Sequence, residues 1–414
     1  MSVRKRNWTT ARGEEKQAWV ADYVDAKGKR RLKTFAKKKE ADAFAATATV
    51  EVREGVHVAD SDSATVEAAG ALWLASASAS GLERATIEDY GRHLRLHIVP
   101  HLGAVRLASL SIAKVRSFED ELRAAGRSSA MVKKVLVSLS ALVADAQERG
   151  LVARNVVRDM KARRGSSERR QEQRQKGRLK VGVDIPTREE VKALLGSLDG
   201  RWRPLVLVAT FCGLRASELR GLRWSDVDLD KREIRIHQRA DRFNDIGRPK
   251  SLAGERTLPA PPMVINALKE WKLAYSRPVI GRDADGNPIR EDARPSHLVF
   301  ANGVGKVEQL NNILRRGLHP AWVEAGVAID TGERDEAGKP ILAPKYTGLH
   351  ALRHWFASWC INRKEDGGLA LPPKIVQERM GHSTIALTMD RYSHLFPKAD
   401  DADEMEAGER AFLS

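Results

Sequence analysis

Apolar and polar residues alternate along Gln17–Asp25 (QAWVADYVD) with the period of two that a half-buried strand requires. Ala26-Lys27-Gly28-Lys29 reads as a turn and Arg31–Phe35 (RLKTF) as the returning strand. An alanine-rich helix follows from Lys38 to about Arg53. At Thr65 the period changes. From there to about Asn155 apolar positions recur at three and four, the spacing of one helix face. Thr65 opens a first helix carrying Leu72, Trp73 and Leu74, and Thr86 opens a second that runs to His97, before Pro100 and Gly103 punctuate the pattern. A third starts near Ser111. Ser128–Arg149 forms the fourth, with Val132, Val135, Leu136, Leu139 and Leu142 as its core stripe and Lys133 and Lys134 off it.

From Ile185 onward the pattern is mixed. Thr187 caps a helix with Glu189 and Glu190 in its first turn, and a second helix covers about Arg203–Cys212. Arg232–His237 and Arg256–Pro259 read as strands of a small sheet joined by the polar loop Asp241–Gly254. Two hydrophilic, turn-rich inserts follow, Arg282–Ser296 and Thr331–Pro340. The first contains Asp283-Ala-Asp-Gly-Asn287, which echoes a calcium loop but lacks its later acidic ligands, and so reads as a hairpin turn. The tail Ala399–Glu409 holds six acidic residues in a short helix. The expected fold class is multidomain, mainly α with small β-sheets. It comprises an N-terminal α+β module (1–60), a four-helix domain (64–157), a basic linker (158–184), a mixed, mostly-α domain (185–397) and an acidic tail (398–414).

Charge narrows the function. The 414-residue chain carries a net charge of +16 with a pI near 9.9, which favours a polyanionic partner, nucleic acid first and anionic membrane second. Arg158–Lys180 alone carries 10 basic and 3 acidic residues, enough to lie along phosphates as well as to link domains. Met1–Ser63 is milder, 14 basic against 10 acidic, and suits either a capping hairpin or a sheet that reads a DNA groove. No run of 18 apolar residues exists, and MSVRKRNWTT lacks the apolar core of a secretion signal. Cys212 and Cys360 are the only cysteines, which excludes a disulfide scaffold or zinc protein and suits a reducing cytoplasm.

Four stretches carry candidate chemistry. In Gly213-Leu-Arg-Ala-Ser-Glu-Leu219, Arg215 stands at the corner between two helices, with Glu218 one turn on to orient it; a surface ion pair is the plainer reading. In Leu349-His-Ala-Leu-Arg-His354, His350 and Arg353 share a helix face and would clamp a phosphate, or His350 merely caps the helix. Lys250 sits in the loop before Arg256–Pro259 and is distinguished from 70 other basic residues by that position alone. Met380–His394 (MGHSTIALTMDRYSH) sets His382 after a glycine and Tyr392 ten residues later; most tyrosines of this kind are packing residues with a polar tip.

Together these stretches resemble the tyrosine recombinase (phage integrase) family, in GLRASELRGLRWSDVDLD, HALRH and MGHSTIALTMDRY and in their order and wide separation. The resemblance covers Ile185 to about Pro397 strongly. It extends more loosely to the helical region, which is similar to the family's core-site-binding domain, and to the N-terminal module, which looks like an arm-site-binding module. It implies a DNA recombinase in which Tyr392 attacks a scissile phosphodiester and forms a 3′-phosphotyrosyl bond, freeing a 5′-hydroxyl. Arg215 and Arg353 would hold the non-bridging oxygens. His350 and His382 would donate further hydrogen bonds, His350 also being a candidate to handle the tyrosine proton. Lys250 would be the general acid, Glu218 would support Arg215, and His354 would pack or orient. A cationic clamp of this kind suits a phenol that is mostly protonated near neutral pH. The resemblance calls for no cofactor, and no ATP-binding phosphate loop is visible. It implies double-stranded attachment-site DNA and a homotetramer as partners, with room for an excisionase and a DNA-bending protein. The competing expectations are a type IB topoisomerase-like relaxing enzyme, and a DNA-binding regulator that has kept the fold without the chemistry. If Tyr392 is not the nucleophile, Tyr346 is the next candidate.

Overall fold

The computed structural model describes the chain except for residues 10–14, 161–177, 275–278, 283–284, 287, 291–297, 397–400 and 414. The middle of the basic stretch expected at 158–184 and the start of the acidic tail fall outside the described residues. The chain divides into two compact units, Met1–Arg164 and Gly165–Ser414.

The first unit opens with three antiparallel strands rather than the expected hairpin. Ser2–Thr9 pairs with Glu15–Val24, which pairs with Arg30–Phe35, and the helix Lys38–Arg53 follows. The first strand escapes a hydrophobic reading because its residues are nearly all exposed and its centre is the basic run Arg4-Lys5-Arg6. Asp25 is buried where Arg31 donates Nε to it at 2.7 Å, and Arg31 also pairs with Asp62. Arg106 then joins this module to the helices, donating to the carbonyls of Asp60, Ser61 and Ser63 at 2.9–3.1 Å.

Four principal helices follow: Val66–Ala79, Arg84–Leu102, Ile112–Ala124 and Ser129–Glu148. Thr65, Ser111 and Ser128 cap three of them, each accepting a backbone N–H three residues on. Val132, Val135, Leu139 and Leu142 are buried with Trp73, Ile98 and Phe118, and Leu136 is half-buried beside them. The expected break at Pro100 does not occur. The helix instead widens into a π-turn at Leu94–Ile98, in which Val99 N–H reaches back to Leu94 O, so the residue lacking a donor enters after the slip. The same device recurs in the second unit, where the π-turn Ile313–Leu318 precedes Pro320.

The second unit is built on the almost wholly buried helix Trp202–Cys212. Around it lie Arg188–Gly196, started by a reciprocal Thr187–Glu190 capping box, and His350–Ile361. A three-stranded sheet in the order Val227–Asp228, Glu233–Ile236, Arg256–Pro259 supplies the other wall. The loop expected at Asp241–Gly254 contains a small ribbon, Arg239–Ala240 with Ile246–Gly247, and the insert near Thr331–Pro340 is a longer one, Ala328–Arg334 with Pro340–Pro344. In the other insert Val279–Arg282 pairs with Pro288–Arg290, though part of the DADGN turn lies outside the described residues. Helices Pro373–Met380 and Ile385–Tyr392 close the unit, and Asp401–Leu413 is helical. Among the described residues no helix is long and apolar enough to cross a membrane.

Candidate active site

Two helix ends prepare the site. Trp202–Cys212 and Pro373–Met380 both terminate in a left-handed glycine, Gly213 and Gly381, each at φ +60°. A side chain at Gly213 would place its Cβ 2.1 Å from the Phe356 ring, so the close approach as well as the turn requires glycine there. Carbonyls left open at these ends carry the negative pole of their helices. Arginines occupy them. Arg353, 2% exposed, donates Nη1 to Gly213 O at 2.5 Å and Nη2 to Met380 O. Arg215 donates Nη2 to Gly381 O at 2.8 Å and Nη1 to Glu218 Oε1 at 2.7 Å. The spacing that suggested Glu218 would steer Arg215 is thus realised as a hydrogen bond, and the same carboxylate accepts the Arg215 backbone N–H at 2.8 Å.

Glu218 is itself buried, and a third arginine shares it: Arg256 reaches its two oxygens at 2.9 and 3.2 Å. Burial raises the Glu218 pKa, but Arg256 first and then Arg215 overcome it and hold the carboxyl down at about 2. Arg353 feels the reverse. Burial, reinforced by Arg215, pulls its pKa down to about 9 despite the attraction of Glu218. Two guanidinium groups bond this one carboxylate and a third, Arg353, feels its charge, so the cluster favours an added anion.

Tyr392 ends the helix Ile385–Tyr392, 1% exposed, with its Oη 2.7 Å from His354 Nδ1. Burial raises the phenol to about 12, with Arg353 and Arg391 pulling the other way. The histidine at its hydroxyl is therefore His354, expected only to pack or orient, and not His350. His350 is exposed and stands edge-on to His354 at 4.6 Å between ring centroids. Its ring is nonetheless held below the ordinary histidine range, by lost hydration there and then by Arg353, Arg391 and Arg215. His382 stacks parallel to Tyr392 at 6.4 Å, and its Nδ1 lies 2.9 Å from the buried Thr388 Oγ1, which leaves Nε2 for another partner. Lys250 is exposed on the loop leading to Arg256. Tyr346, the alternative nucleophile, is buried elsewhere: it donates to Glu190 at 2.8 Å beside Lys345 and packs on Trp322.

Sequence reasoning underrated three residues here. Arg256 lies two positions from the buried Leu258 on a strand, hence on the same face. His354 and Thr388 lie four residues from His350 and Tyr392 along their helices, again on shared faces.

Burial pushes both His354 and His382 down to about 3 from an ordinary 6.5. As pH falls below 6.5 the unfolded chain binds these protons and the folded protein does not, so stability is unaffected above about pH 7 and declines between about 6.5 and 3. We expect the free protein to melt lower at pH 5.5 than at 7.5, the His354 share being roughly 1 kcal/mol per pH unit. His354→Asn should flatten that slope; an unchanged slope would count against the burial of a neutral imidazole.

The sequence profile of the phage integrase family matches residues 186–399. A tyrosine recombinase XerC-like protein of Caldanaerobacter subterraneus subsp. tengcongensis is 26% identical over 96% of both chains. Among solved structures, the Tn1549 transposon integrase in complex with circular intermediate DNA superposes with a TM-score of 0.58 at 20% identity, covering 84% of this chain and 100% of that one. A lambda integrase tetramer bound to a Holliday junction superposes with a TM-score of 0.51 at 15% identity, covering 91% and 95%. The fold is theirs.

Proposed function

This chain belongs to the phage integrase family, and from that premise we propose that Tyr392 is the nucleophile of a site-specific DNA recombinase that integrates or excises a mobile element. The observation that carries the reading is the placement of the Tyr392 hydroxyl against the helix His350–Ile361, whose Arg353 is anchored with Arg215 on adjoining helix ends. A scissile phosphate held by the outward N–H groups of those two guanidiniums lies where charge develops in an in-line displacement. His350 and His382 add donors to its oxygens, and Lys250 protonates the departing 5′-oxygen once its loop meets DNA.

The arriving phosphate also corrects the proton balance. In the free protein Tyr392 is raised to about 12 and its partner His354 lowered to about 3, so neither is ready to exchange a proton. An anion in the clamp offsets the arginines that help suppress His354 and makes that imidazole, with its neighbour His350, a better acceptor for the phenolic proton. Since the phosphotyrosyl ester retains the energy of the broken bond, the freed 5′-hydroxyl of another strand rejoins by the reverse step.

The N-terminal module and helical domain are read as arm-site and core-site DNA-binding parts, and the basic stretch 158–184 as a further phosphate contact. The tetramer of lambda integrase on its junction supports four protomers here, acting on duplex attachment sites. An excisionase and a DNA-bending protein are the additional partners this reading admits. A relaxing enzyme is less well supported because of the separate N-terminal modules, and a silent regulator because of the full set of Arg215, Lys250, His350, Arg353, His382 and Tyr392.

Covalent capture on a randomised duplex library, each duplex nicked near its centre, tests the reading. Captured DNA should carry the protein on its 3′ end, and the short strand released between the cleavage point and the nick should begin with a free 5′-hydroxyl. Capture through the 5′ end, or none from a folded protein that retains DNA, would overturn it. Sequencing the captured pool also yields a core site.

A further inference from the structure

The roles above leave Arg256 unexplained. Its side chain is only 7% exposed, at the start of the strand Arg256–Pro259, and its hydrogen bonds lead to three parts of the site. Toward the clamp, Nη2 and Nη1 grip Glu218, the carboxylate that also orients Arg215. Toward the nucleophile, Nε donates to Arg379 O at 2.9 Å, in the last turn before Gly381 and His382. The approach there is close enough that a Cβ on Gly381 would stand 2.7 Å from Arg256 Nη1. Toward the loop, Nη1 donates to Gly254 O at 2.9 Å. Gly254 closes the short turn Leu252–Gly254, donates its N–H to Ser251 O at 2.9 Å, and would place a Cβ 2.5 Å from Pro249 Cβ. Lys250 lies between those two residues, Pro249 and Ser251, both held on Gly254.

We propose that Arg256 is a positioning residue that sets the Lys250 loop in register with the arginine clamp, through Gly254 on one side and Glu218 on the other. The proposal rests on the reading of Lys250 as general acid. In that step the Tyr392 oxygen bonds to phosphorus, the bond from phosphorus to the 5′-oxygen breaks, and a Lys250 ammonium proton passes to the departing oxygen. A lysine on a flexible stem is effective only if its backbone is fixed, and a planar fork with two separate anchors fixes it as a single ammonium cannot. Arg256→Lys therefore keeps the charge and loses the register.

Sulfur in place of the bridging 5′-oxygen separates positioning of the acid from support of the fold, because a thiolate leaves without a proton. The full-length protein is assayed on a nicked duplex bearing the captured core site, with oxygen or sulfur at that one position. On the oxygen substrate Arg256→Lys should slow covalent capture by about a hundredfold, the scale of lost general-acid catalysis. On the sulfur substrate it should approach the wild-type rate. Adding Lys250→Ala to Arg256→Lys should slow the oxygen reaction no further than Lys250→Ala alone. Gly254→Ala, which displaces the loop while leaving Arg256 in place, should repeat the sulfur rescue and serves if Arg256→Lys folds poorly. Equal slowing of Arg256→Lys on both substrates, or no slowing on either, overturns the proposal while Lys250→Ala is still rescued. Failure of sulfur to rescue Lys250→Ala itself instead refutes the acid assignment, and the proposal falls with it.

Discussion

Tyr392→Phe is expected to abolish the covalent protein–DNA adduct and leave DNA retention intact. The substitution removes one oxygen from a ring that is 1% exposed and stacked on His382, so packing is preserved. What it costs the fold is the hydrogen bond to His354, about 1 kcal/mol in net terms. What it costs the reaction is the attacking atom, which no neighbour replaces: Tyr346, the other candidate, holds its hydroxyl on Glu190. Gel capture on the nicked core site, beside a mobility-shift assay on the same DNA, reads the two effects separately. An adduct that survives Tyr392→Phe and disappears with Tyr346→Phe would move the nucleophile to the loop before His350–Ile361.

The second large effect is expected at Arg353. Arg353→Lys should lower capture by about a thousandfold, the upper range for one preorganised donor group, because an ammonium cannot both span Gly213 O and Met380 O and face a phosphate. Stability should fall as well, by roughly 2 kcal/mol, since one buried helix-end carbonyl loses its donor. These losses differ in remedy. Orthovanadate, which mimics the phosphoryl centre, should raise the melting temperature of the wild type and do so far less for Arg353→Lys. A variant captured as efficiently as the wild type would show that Arg353 supports the helix ends and no more.

Much of this could be read from residue spacing. Thr187 with Glu190, and Ser128 ahead of a clean apolar stripe, announce helices because caps and stripes are local physics, satisfied within a few residues. Glu218 three residues from Arg215 announced its ion pair for the same reason. The misses were contacts closed over long stretches of chain. His354 meets Tyr392 across 38 residues and Arg256 meets Glu218 across the same number, and no local pattern specifies either. The strand Ser2–Thr9 is not legible because the consecutive Arg4, Lys5 and Arg6 leave it without an apolar face. Pro100 misled because the π-turn before it lets a residue without a donor enter with the helix unbroken.

The buried arginines have one more consequence. Arg215, Arg256 and Arg353 set against Glu218 leave two positive charges unmatched, while burial keeps His354 and His382 neutral. A phosphodiester in a DNA strand carries one negative charge, and the five-coordinate species between substrate and phosphotyrosine carries close to two. On the function proposed above, this charge balance would match the dianion and exceed what the monoanion needs, favouring the top of the barrier over either end of it.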